Sequence, residues 1–159
     1  MGKSAVQEKP AIRAAAEQPE EIGSGRERLQ FAEFDYEPYA DGSCVSSIVL
    51  EWEGGQRFRG RAEGTQTPQG ELRCGALAAV AAAEEAADDK IAFSLVGVKA
   101  VRAFDNWVII VAVRGKAGDA DHRLIGAYAT QGDQTARAAA MSVLDATNRV
   151  LVKYLSRKQ

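Results

Sequence analysis

Between Ile91 and Arg114 the chain reads IAFSLVGVKAVRAF, then Asp105-Asn106, then WVIIVAVR. These are two β-branched-rich runs joined by a pair of residues that tolerate positive φ, which predicts a tight hairpin. In the second run Trp107, Ile109, Val111 and Val113 point one way, and Val108, Ile110 and Ala112 the other. Both faces of that strand are apolar, so both need cover. A helix can cover one. The other falls to a further layer of this chain or to a second copy of it.

The chain around this hairpin has room for about one domain, by the usual span of roughly 100–200 residues. A formal net charge of −2 argues against a dedicated nucleic-acid binder, whose surface is normally basic. No apolar run approaches the roughly 20 residues that span a bilayer. The N-terminal stretch carries Glu8, Glu17, Glu20 and Glu21 and lacks the apolar segment of a secretory leader, so a cytoplasmic location is expected. Cys44 and Cys74 are too few for a disulfide scaffold and read as reduced thiols.

Residues 1–25 mix Pro, Gly, Ala and charge and offer no core residues, so a disordered arm is expected there, with a protein partner as one use for it. Residues 26–159 read as a single domain. In Arg28–Tyr36, Leu29 and Phe31 fall on one side and Ala32, Phe34 and Tyr36 on the other, which suggests a strand with a register break. Cys44–Glu53 alternates as a strand, Gly54-Gly55 turns the chain, and Gln56–Ala62 returns with Arg57, Arg59 and Arg61 facing outward. A polar loop leads to a helix over Glu71–Ala87 with an alanine-rich face. Its acidic end, Glu84 to Asp89, opposes the helix dipole and predicts fraying. After the central hairpin come a loop, GKAGDAD, a strand over His122–Thr130, and a helix from about Asp133 to Arg157 with Asp133 as N-cap.

The order is βββα followed by βββα, over about 28–88 and 91–157. The halves align: Gly60-Arg61-Ala62 matches Gly126-Ala127-Tyr128, and, after a loop two residues longer in the first half, Arg73 matches Arg137, Leu77 matches Met141 and Val80 matches Leu144. The expected class is α+β, a duplicated βββα unit with a mainly antiparallel sheet and two helices packed on it.

On this order and on GAYATQGDQTARAAA (126–140) and LDATNRVL (144–151), the chain resembles the C-terminal regulatory, dimer-forming domain of 2-isopropylmalate synthase and its citramalate synthase relatives. The resemblance covers roughly residues 28–155. It implies a paired βββα fold, a homodimer, and an effector site near the two strand-to-helix loops. The family's first loop usually runs Gly-x-Gly-x-x-Pro-Val-Asp-Ala. Here Gly64–Glu71 is longer and lacks that Asp-Ala. The family's catalytic barrel and metal-binding histidines have no counterpart in this sequence, so the expectation is a free-standing, non-enzymatic relative with no cofactor.

Residue chemistry leaves three functional readings. The first is a dimer-forming regulatory-type domain that binds a small carboxylate metabolite, an amino acid or keto acid. Loops at Thr65-Gln66-Thr67 and Thr130-Gln131-Gly132 precede both helix starts, where free N–H groups can hold an anion. The ligand-binding expectation therefore falls on Gly64, Thr65, Thr67, Tyr128, Thr130 and Gly132. The second is a structural or adaptor module with no small ligand. The third is an RNA-associated factor using the ladder Arg57, Arg59 and Arg61, for which cross-strand pairing with Glu51 and Glu53 is the plainer explanation. His122 lacks a ligand set around it and reads as a solvated loop residue, with no metal expected. Cys74, near a helix start, could be an activated thiol, though packing is the simpler role.

Overall fold

The computed structural model describes residues 28–155, so the expectation for residues 1–25 lies outside the described residues. The first half contains β1 (Gln30–Pro38), β2 (Ser43–Trp52), β3 (Gln56–Thr65) and α1 (Pro68–Ala86). The second contains β4 (Ala92–Ala103), β5 (Asn106–Ala117), β6 (Ala120–Thr130) and α2 (Thr135–Leu155). Each strand triplet forms its own antiparallel sheet, in the order β1-β2-β3 and β4-β5-β6. This is the α+β class and the duplicated βββα unit expected from the sequence, with two sheets rather than one.

The helices pack on each other and lie between the sheets: α1 touches β2, β3 and β4, and α2 touches β5, β6 and β1. A helix in a middle layer must be apolar nearly all round. That explains α1, whose Leu72, Cys74, Ala76, Ala78, Ala79, Val80, Ala82, Ala83 and Ala86 are all buried. Small side chains allow the close approach. A Cβ at Gly60 would overlap the Ala78 carbonyl oxygen of α1, and one at Gly126 would overlap the Ser142 carbonyl oxygen of α2. Ala82 and Ala146 complete the two contacts. The strand residues are offset by 66 and the helix residues by 64, so the repeat seen in the sequence returns as one packing joint made twice.

Several local expectations shift. The predicted register break in β1 is a bulge between Phe31 and Glu33, and it turns Phe31, Phe34 and Tyr36 to the same, inward side. The central hairpin turns one residue earlier than expected. Phe104 and Asp105 occupy the loop at φ 52° and 64°, and Asn106 pairs with Ala103. That register sends Ile109, Val111 and Val113 inward, whereas a slip of one residue would expose them. Trp107 lies on the same side, half-buried beneath the Arg102 guanidinium. The loop expected at 115–121 is only Gly118-Asp119, because β5 and β6 pair as far as Ala117 and Ala120.

Helix α1 starts earlier than predicted, at Pro68, whose missing N–H costs nothing at a first helical position. It does not fray at its acidic end. The Glu84 carboxylate accepts the Phe93 N–H at 2.7 Å, and Glu85 accepts the Arg59 N–H at 3.3 Å. These strand amides offset the unfavourable dipole. Likewise Asp145 of α2 accepts the Ala127 N–H at 3.1 Å, so carboxylates block outward amides on β3, β4 and β6.

Candidate functional site

The two helix starts differ. At α1, Thr67 is the N-cap and its hydroxyl accepts the Gly70 N–H at 2.9 Å. The rest of that loop is tied down by hydrogen bonds within the first half. The Gln66 side-chain amide donates to the Tyr39 and Ser43 carbonyls at 2.6 and 2.7 Å, and the Thr65 and Thr67 hydroxyls lie 3.3 Å apart. Gly64 faces Cys74 at contact distance, leaving no room for a ligand against its backbone.

At α2, Asp133 is not the N-cap. Gln134 takes that position through its carbonyl, which accepts the Ala138 N–H at 3.1 Å, and Asp133 makes no capping bond. Among the described residues, no side chain caps the N–H groups of the first α2 turn. Gly132 beside them has open space where a side chain would be.

A cleft of about 220 Å³ lies against this uncapped start. Its walls are Phe34 and Tyr36 of β1, Glu71 of α1, and the run from Asp133 to Arg137. Three causes bring these residues together. The β1 bulge aims Phe34 and Tyr36 inward. Gly75 lets α1 cross α2 against the Ala136 backbone, which sets Glu71 beside the α2 start. Arg137 is held with its guanidinium 4.8 Å from the Phe31 ring.

The Tyr36 phenol donates to Glu71 Oε2 at 2.6 Å. Burial, followed by that bond to a carboxylate, pushes the phenol well above its usual range. Tyr36 therefore stays a neutral donor and orients Glu71. The cleft thus offers the Arg137 guanidinium and first-turn backbone N–H groups, the carboxylates of Glu71 and Asp133, and the aromatic surface of Phe34 and Tyr36.

Of the six residues expected to bind a ligand, none lines this cleft. Gly64, Thr65 and Thr67 sit at the α1 start, and Thr130 and Gly132 just before α2. Tyr128 is half-buried on β6 opposite Ile109 and packs on the core. The residues that sequence reasoning passed over are Phe34, Tyr36, Glu71 and Arg137. The available signals were the β1 register break and the equivalence of Arg73 with Arg137.

The remaining candidates are structural. Cys44 and Cys74 are free and buried, and burial raises the Cys74 thiol rather than activating it. His122 lies in β6, not in a solvated loop, with its Nε2 enclosed and unbonded. Among the described residues no group of His, Cys, Asp and Glu is arranged to hold a metal, and no helix is long and apolar enough to cross a membrane. Compared with known proteins, the chain matches no family model and no curated sequence.

Proposed function

We propose that this chain is a non-enzymatic, dimer-forming regulatory-type domain, akin to the synthase regulatory domain its sequence resembles, and that it binds a small carboxylate metabolite. The observation that carries the reading is the cleft at the uncapped start of α2, lined by both Arg137 and Glu71. A carboxylate fits the first-turn N–H groups, whose partial positive charge adds to that of the guanidinium. An amino acid would also place its ammonium against Glu71, while a 2-keto acid would leave Glu71 to Tyr36. Phe34 gives an apolar side chain a surface.

A thermal-shift screen of α-amino acids and 2-keto acids tests this. A ligand at 100 times its Kd stabilises the folded state by about 2.7 kcal/mol, well within detection. At least one compound is expected to raise Tm, with the effect lost in Arg137→Gln. A flat screen, or an equal shift in that variant, removes the ligand reading and leaves the adaptor module. The RNA reading has less support. The face bearing Arg57, Arg59 and Arg61 also carries Glu33, Asp35, Glu37, Glu51 and Glu63, five carboxylates against three arginines.

A further inference from the structure

The outer face of the second sheet has no cover within the described residues. Across its strands it presents Val101, Val108 and Ala129, then Lys99, Ile110 and Ala127, then Gly97, Ala112 and Ile125, with Val96 beside Gly97 in the β4 bulge. Val96 is 66% exposed and Ile125 55%. Two local faults flank this patch. At the hairpin tip Phe104 is 88% exposed and held at φ 52°, a conformation that costs a bulky L-residue energy. At the opposite end Arg114 lies directly across from Arg123, a like-charge pair that the 2.8 Å bond from Arg114 to Asp121 relieves on one side only.

We propose that this face is where two copies of the chain associate, stacked sheet on sheet with their strands antiparallel. The proposal deepens the dimer part of the reading above and rests on it. With strands ~4.8 Å apart and ~3.3 Å rise per residue, the face from Phe104 to the arginine row is roughly 30 Å long and roughly 14 Å wide, about 400 Å² per copy. A pair then buries about 800 Å², the size of a weak, reversible association. The choice of a second copy as occupant comes from the distribution of the two faults. Phe104 and the Arg114–Arg123 row lie at similar distances from Ile110, roughly 13–16 Å along the strands in opposite directions. A two-fold axis crossing the strands near Ile110 sets each Phe104 ring over the partner copy's arginine row, where the ring faces cations. One docking event then covers the apolar patch and both faults.

Sedimentation velocity of the full chain across micromolar concentrations tests the proposal, with Ile125→Glu, Phe104→Asn and, on the first sheet, Arg59→Glu. The wild type and Arg59→Glu are expected to dimerise. Ile125→Glu should weaken association by roughly 100-fold and Phe104→Asn by roughly 10-fold. Asn accepts positive φ, so Phe104→Asn keeps its fold and melts no lower as a monomer, which guards against Ile125→Glu failing to fold. A wild type that stays monomeric overturns both the surface and the dimer reading. Dimers unaffected by either second-sheet variant overturn the surface while leaving the dimer reading in place.

Discussion

The two sheets share an inner face and differ on the outer one. Inside, each central strand faces its own helix, and Gly60 and Gly126 make the same joint. Outside, the first sheet is covered by its own charged side chains: Arg57 reaches across β2 to Glu33 at 3.3 Å, and Val45 and Val49 beneath them are only 8% and 4% exposed. The second sheet places Val108, Ile110 and Ala112 at the centre of its outer face, with no comparable cover among the described residues. Duplication therefore preserved what the middle layer requires and left the outer surfaces free to diverge. The helix starts show the same pattern, closed by Thr67 at α1 and open at α2.

If the inner joint is common to both halves, Gly60→Val and Gly126→Val should be comparably damaging. Each new side chain meets helix backbone that cannot step aside, so a loss of about 3 kcal/mol or more is expected in urea unfolding. One variant proving harmless would break the equivalence. Within β5, Ile109→Ala removes a fully buried side chain and should cost about 2–5 kcal/mol. Ile110→Ala, one residue away on the outer face, should cost the monomer under about 1 kcal/mol. Similar losses would mean that the outer face is covered from within the chain.

A smaller effect concerns Tyr36. Its folded-state pKa is raised, so the stability linked to it is present below the unfolded value of 10.0 and is lost as pH climbs above that value. Chemical denaturation from pH 8 upward should show this alkaline loss in the wild type and a weaker one in Tyr36→Phe. Smallest is the first sheet's surface. Arg57→Ala breaks a pair that is 42% and 64% exposed, and should change stability by less than about 1 kcal/mol, less still in high salt.

Features made by neighbours in sequence were legible before the structure. Strand alternation, the β1 register break, the βββα repeat and the Gly60–Gly126 equivalence all rest on local pattern. Sequence alone puts the hairpin turn one residue late because Asp105-Asn106 suits positive φ better than Phe104 does, and the register of the whole sheet outweighs that local preference. The acidic end of α1 suggested fraying because only the dipole is visible in sequence, while the strand amides that meet Glu84 and Glu85 are not. The cleft was least legible. Its residues run from Phe34 to Arg137 across three elements, and the β1 bulge and the crossing at Gly75 and Ala136, both tertiary features, bring them together.

The most direct test of an open second half beside a closed first half is an amide chemical-shift titration of the ¹⁵N-labelled full chain with α-amino acids and 2-keto acids. The account predicts that the backbone signals of Thr135, Ala136 and Arg137 move in a saturable way, while those of Gln69 and Gly70 at the capped start of α1 stay still. Equal movement at both helix starts, or none at α2 with every compound, would contradict it.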